Sequence, residues 1–115
     1  DSSASRRMYA AGRREYYVAH LDIPADESIA LITTYAIFLL TVSSSGRSYY
    51  VTWRIPLERL VYARPYKDVV LLVVRMKDVK QRMLFIADPA EQEWICQRIE
   101  QALSVFNELR RTTQD

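Results

Sequence analysis

The sequence predicts a mainly β fold: a seven-stranded antiparallel barrel, left partly open and closed by one C-terminal α-helix. Three observations predict it. Short segments between residues 15 and 87 alternate apolar and polar side chains with period two. Brief polar or proline-containing turns separate these segments. From residue 88 the period changes to that of a helix and holds to Arg111.

The helix carries the clearest signal. Asp88 suits the N-cap and Pro89 the first helical position, and Glu91 stands where the reciprocal partner of a capping box belongs. Acidic Glu91 and Glu93 at the start and basic Arg110 and Arg111 at the end follow the helix dipole. Ile95, Ile99, Ala102, Leu103, Phe106 and Leu109 form one apolar stripe, opposite Glu93, Gln97, Glu100, Ser104 and Glu108. Burying each large residue of the stripe stabilises by roughly 1.5–3 kcal/mol before ordering entropy is subtracted. The strands supply the surface to bury it against, because a curled sheet leaves one mouth unsealed. Trp94, at the stripe's margin, is expected to pack against the barrel.

In the first strand, from Glu15, Tyr17, Ala19, Leu21 and Ile23 point one way, and Tyr16, Val18, His20 and Asp22 the other. Pro24 to Glu27 turns into a second strand from Ser28 to Thr33, and Thr34-Tyr35 breaks it before a third from Ala36 to Val42. Ser43 to Arg47 is a polar hairpin loop. The fourth strand sets Tyr49, Val51, Trp53 and Ile55 against Tyr50, Thr52 and Arg54, and Pro56 ends it. The fifth is short, Leu60 to Arg64, with a turn from Pro65 to Asp68. Val69 to Val74 is an uninterrupted apolar run, consistent with a strand covered on both faces. Met76 to Lys80 is a charged turn, and Gln81 to Ala87 the seventh strand, with Met83 and Phe85 opposite Leu84 and Ile86.

Composition bounds the function classes. With 115 residues the chain suits one domain. It lacks an initiator Met and is expected to be a segment of a longer, soluble polypeptide. Residues 1–14, with Arg6, Arg7, Arg13 and Arg14 around Met8 and Tyr9, read either as a basic arm touching acidic lipid or protein, or as a flexible lead-in. Residues 15–111 form the domain and 112–115 a tail. The net charge of +2 is too small to imply nucleic acid, and no RNA-binding signature accompanies it. Cys96 is the sole thiol and His20 the sole histidine, so neither a disulfide framework, a nucleophile–base set nor a metal site can be assembled. The only glycines are Gly12 and Gly46, which excludes a glycine-rich phosphate loop. The sequence predicts a non-catalytic module with no cofactor and no metal.

Seven strands followed by a helix with Trp94 near its start resemble a pleckstrin-homology (PH) domain. A hydrophobic strand, the Thr33-Thr34-Tyr35 turn, a second hydrophobic strand to Thr41 and then Ile55-Pro56-Leu57-Glu58-Arg59-Leu60 resemble GRAM and related PH-like domains. With Tyr16-Tyr17-Val18-Ala19-His20-Leu21, residues 15–110 are similar to the PH-like domain at the C-terminus of the vacuolar protein sorting 13 family, long bridge-like lipid transfer proteins. The resemblance implies a targeting module, cytoplasmic and peripheral on organelle membranes (Golgi, endosome or membrane contact sites). It also implies phosphoinositide binding, recognition of an Arf-type small GTPase, and neighbouring domains of the same polypeptide as partners.

In lipid-binding PH domains the first loop carries a Lys/Arg cluster; here Pro24-Ala25-Asp26-Glu27 is acidic, which argues against a stereospecific headgroup pocket there. A PH-like fold gathers three strand loops at one open end. Arg47, Lys77, Lys80 and Arg82 are then candidates for holding the phosphates of an anionic phospholipid membrane, against Asp26, Glu27 and Asp78. The alternative is a solvated loop edge of mixed charge. Arg64 and Lys67, with Tyr66 beside them, form a secondary basic cluster at the other end. The eight tyrosines point to interfaces, since Tyr presents large area with a polar tip. The adjacent pairs Tyr16-Tyr17 and Tyr49-Tyr50 place one ring on each sheet face, making Tyr16, Tyr50 and Tyr66 candidates for a protein interface.

Overall fold

The structure, a computed structural model, describes residues 15–114. The basic lead-in expected over 1–14 lies outside them. Seven antiparallel strands form two sheets. The four-stranded sheet runs in the order β1 (Tyr17–Ile23), β2 (Ser28–Thr33), β3 (Ala36–Val42), β4 (Tyr49–Pro56). The three-stranded sheet runs β5 (Leu60–Tyr66), β6 (Val69–Val74), β7 (Gln81–Leu84). One helix follows, α1 (Pro89–Gln114), extending three residues past the end that the periodicity predicts. Two meandering sheets closed by a helix are the partly open barrel expected.

Register explains which faces are inside. Ala19, Ile32, Ile37 and Ile55 pair across β1 to β4, and all four are buried. Val70 and Leu84 do the same across β6 and β7. The stripe of α1 meets both inner faces: Ile95, Ile99, Ala102 and Phe106 are buried in one cluster with Ile23, Ile32, Ile55, Leu60 and Leu72. Tyr35 meets Phe106 edge to face, with centroids 6.0 Å apart. The stripe stops short of Leu109, which is exposed.

Polar pins fix the joints. The Thr33 hydroxyl accepts from the N–H groups of Tyr35 and Ala36, each at 3.1 Å, and donates to Glu15 Oε2 at 2.5 Å. The Tyr16 N–H donates to Thr34 Oγ1, and Thr34 N–H donates to the Tyr16 carbonyl. These bonds satisfy a buried corner where β2 folds back and tie the start of β1 to it. At the helix start, Ala90 N–H donates to Asp88 Oδ1 at 3.0 Å, the cap the sequence predicts. Gln92 is buried, and its Nε2 lies 2.7 Å from the Ile86 carbonyl, 2.9 Å from that of Lys67 and 3.3 Å from that of Val69. One side chain thus joins the helix, the β5–β6 turn and the exit of β7.

Several expectations are corrected. Tyr17 is exposed rather than inward, because a bulge between Tyr17 and Ala19 shifts the alternation and turns half-buried Val18 to the core. A second bulge between Leu39 and Leu40 leaves all of Tyr49 to Thr52 exposed, Tyr49 and Val51 included. Both rings of each adjacent tyrosine pair therefore face out. Strand β5 continues through Pro65 to Tyr66, tolerated because β5 is an edge strand. The turn shrinks to Lys67-Asp68, with Lys67 in the left-handed region at φ 54°. Strand β7 ends at Leu84. Strand β6 is buried on one face only: Val70, Leu72 and Val74 are inside, while Val69, Leu71 and Val73 stay half-exposed. Trp94 is exposed, with the Arg98 guanidinium carbon 5.4 Å from its ring centroid, instead of lying against the barrel.

Two substitutions test this packing. Gln92→Leu is expected to lower the unfolding free energy in urea by about 1–3 kcal/mol, since the carbonyls it joins lose their donor. Ile99→Ala is expected to lower it by about 2–5 kcal/mol through the cavity left at the helix–sheet contact. A result within about 0.5 kcal/mol of wild type, typical of surface changes, would contradict either assignment.

Candidate functional site

The open end is built by local chemistry. Pro24–Asp26 makes one 3-10 turn, capped by Glu27 in the left-handed region. Antiparallel pairing of Ser28 with Thr41 sets this turn beside the end of β3, and Val42 N–H donates to the Glu27 carbonyl at 3.2 Å. The β1–β2 turn and the β3–β4 loop thus share one end, as expected. The β3–β4 loop braces itself: Ser43 N–H donates to Ser48 O at 2.8 Å, Gly46 N–H to Ser43 O at 2.9 Å, and Arg47 N–H to Ser45 Oγ. Gly46 takes φ 74°, where a side chain would be strained. Arg47 is exposed beside it.

Lys77 and Lys80 are exposed on the β6–β7 loop, whose ends are joined by the bond from Val74 N–H to Lys80 O at 3.0 Å. Half-buried Met76 and Val79 anchor this loop on the core. Arg82 is half-buried in β7, its guanidinium 5.8 Å from the Trp53 ring centroid in β4. That contact draws Arg82 to Trp53 of the four-stranded sheet. Asp26 and Glu27 are exposed in the β1–β2 turn and Asp78 in the β6–β7 loop, so each of these loops carries acids as well as cations or lies beside them in sequence.

The secondary basic cluster lies on β5 and its turn. The Arg64 guanidinium sits 5.3 Å from the Tyr62 centroid, and Lys67 Nζ 5.5 Å from that of Tyr66. Four other tyrosines, Tyr16 and Tyr17 at the start of β1 and Tyr49 and Tyr50 at the start of β4, expose half or more of their area at the edges of the larger sheet. The Tyr17 hydroxyl and His20 Nδ1 are 2.7 Å apart. Beside Phe38 the Arg54 guanidinium lies 5.6 Å from the ring centroid.

Sequence reasoning missed the outer face of the small sheet. Reading Val69 to Val74 as covered on both sides hid a surface that Tyr62, Leu71, Val73 and Met83 leave open. The available signal was that one helix can cover only one face of β6. It also missed Gln92, a polar residue next to the helix stripe.

Burial pushes the Cys96 thiol up to about 11, with the nearby Glu100 carboxylate adding to the shift. Among the described residues, no group of three or more His, Cys, Asp or Glu could hold a metal ion. Among the described residues, no helix is long and apolar enough to cross a membrane.

Seven antiparallel strands, a capping C-terminal helix and outward-facing basic and aromatic surfaces define a PH-like module. A family model described as the C-terminal region of the intermembrane lipid transfer protein VPS13 matches residues 3–89, well over half of the chain, and the chain belongs to that family. The match ends at Pro89, where α1 begins. No curated protein and no solved structure matches the chain. The module accordingly belongs to proteins of lipid transfer between membranes.

The thiol makes a direct prediction. Because its folded pKa is raised, neutral Cys96 favours the native state below the thiol's ordinary value near 9, and that contribution fades as pH rises towards 11. At pH 8 iodoacetamide should modify the folded chain far more slowly than the same chain in urea. Equal rates in both would contradict a buried, protonated thiol.

Proposed function

We propose that the domain is a non-catalytic targeting module that helps recruit a large lipid transfer protein to an organelle membrane by binding an Arf-type small GTPase. The observation that supports it is the exposure of Tyr16, Tyr17, Tyr49 and Tyr50 on the larger sheet. Tyr16 and Tyr17 at the start of β1 and Tyr49 and Tyr50 at the start of β4 lie at opposite edges and ends of that sheet, so each pair offers its own patch of the large, low-entropy contact area that protein interfaces favour. Tyr16 suits this role because its backbone is held by Thr34 while the residue is exposed. Tyr66 lies on the smaller sheet and extends the aromatic surface there.

The test is a pull-down of an Arf-type GTPase with the purified chain. Recovery is expected to rise when the GTPase carries a non-hydrolysable GTP analogue. The double change Tyr16→Ser and Tyr50→Ser is expected to reduce recovery about tenfold without shifting thermal unfolding. Equal recovery of GDP and GTP forms would overturn the reading.

A second reading, direct anionic phospholipid binding, is favoured by the exposure of Arg47, Lys77 and Lys80. Each exposed cation near an anionic surface adds about 1 kcal/mol, screened by salt. Sedimentation with phosphoinositide-containing vesicles is expected to fall with salt and to be lost when Arg47, Lys77, Lys80 and Arg82 are all reversed to Glu. Binding that survives the four reversals would remove this site.

A further inference from the structure

The outer face of the β5–β6–β7 sheet is a trough. Its floor is β6, with half-exposed Val69, Leu71 and Val73. Its walls are the larger side chains of the flanking strands. Register places Tyr62, Val73 and Gln81 in one cross-strand row, Arg64, Leu71 and Met83 in the next, and Tyr66 beside Val69. Tyr62, Tyr66 and Met83 are exposed, as is Phe85 one residue past the end of β7. The inner face of the same sheet is sealed by the α1 stripe, so the chain's single described helix does not reach this one.

Shape, charge and size select one kind of occupant. An added strand is disfavoured at both edges: β5 lacks a backbone donor at Pro65, and β7 spans four residues. Charge on the face is one-sided. Arg64 and Lys67 bring cations, none of the rows above contains a carboxylate, and Asp68 in the turn is the nearest acid in sequence. Both cations rest over tyrosine rings, and the ion pair seen among the described residues, Arg111 with Glu108, lies on α1. Three strands about 4.8 Å apart, with the exposed positions of β6 spread over about five residues of 3.3 Å rise, make a face roughly 10–15 Å on a side. That is far below the about 800 Å² per partner of a stable dimer. It matches two to three turns of one helix about 10–12 Å across. Half-exposed aliphatics of β6 between the more exposed Tyr62 and Tyr66 on one side and Met83 on the other receive a helical ridge better than they penetrate a bilayer, which protruding tips do.

We propose that the outer face of the β5–β6–β7 sheet binds an acidic amphipathic helix of a partner protein, its apolar ridge seated on Leu71 and Val73 and its carboxylates paired with Arg64 and Lys67. The helix would complete a layer on the second face of this sheet, as α1 does on the first. The site is separate from the exposed tyrosine pairs of the larger sheet and stands independently of the GTPase reading.

The experiment titrates the 115-residue chain into fluorescent synthetic peptides of about 18 residues, long enough to form helix on binding. One has a Leu stripe flanked by Glu, one the same stripe flanked by Lys, and one the acidic composition scrambled. Anisotropy is expected to give saturable binding of the Glu-flanked peptide, about tenfold or more tighter than either control. The double reversal Arg64→Glu with Lys67→Glu is expected to invert the preference towards the Lys-flanked peptide. Met83→Ser with Phe85→Ser is expected to weaken binding about tenfold, with circular dichroism and thermal unfolding unchanged. Tyr16→Ser with Tyr50→Ser is expected to leave it unaltered. Equal affinity for all three peptides would overturn the proposal. So would a concentration-dependent dimer lost in the Met83/Phe85 variant, or anionic vesicles bound through these residues while the acidic peptide is not.

Discussion

The apolar stripe of α1 is the surface that the two sheets share. Within each sheet the strands are joined by ladders, but the sheets themselves form separate hydrogen-bonded sets. What holds them in one core is the contact of Ile95, Ile99, Ala102 and Phe106 with side chains from both. Each large residue so buried contributes roughly 1.5–3 kcal/mol, comparable to a sizeable fraction of a small domain's net stability. Gln92 fixes the angle of approach, since its amide can satisfy carbonyls from the β5–β6 turn and the β7 exit only with the first helical turn seated.

This constraint decides where function can lie. The helix stripe is core and presents nothing to a partner. The surfaces left over are the loop ends, the edge tyrosines and the outer sheet faces. They carry cations resting over aromatic rings and half-exposed aliphatics. The chain belongs to a family of lipid transfer proteins. Lys67, held in a left-handed backbone conformation with its carbonyl facing Gln92, marks the joint between the two halves of this division. One side of it belongs to the core, the other to an exposed basic and aromatic edge.

Much of the fold was legible because its signals are local. The bounds of β2 and β3 follow from alternation broken at Thr33-Thr34-Tyr35, and the start of α1 from Asp88-Pro89. What was not legible is what depends on partners distant in sequence. The bulges near Val18 and Thr52 are set by the neighbouring strand's register, and each moves tyrosines from the expected inner face to the outer one. Strand β6 reads as fully buried because all six residues are apolar, yet burial depends on how many layers exist, and the described residues provide one. Gln92 is polar in composition and buried in fact, since its partners are main-chain carbonyls that no side-chain pattern reveals. For the candidate sites, residue identity pointed to Arg64, Lys67, Tyr16, Tyr50 and Tyr66, which are exposed. Their grouping into faces emerged only with strand register.

The dependence of both sheets on one helix is tested most directly by native-state hydrogen exchange, followed residue by residue by NMR. Amides of β2, β3, β6 and the middle of α1, from Ile95 to Phe106, should exchange through the same global opening, with equal free energies and equal sensitivity to denaturant. If the α1 amides exchange through a separate, much lower-energy opening while β2, β3 and β6 remain protected, the sheets hold together without the helix, and its role as their common core is contradicted.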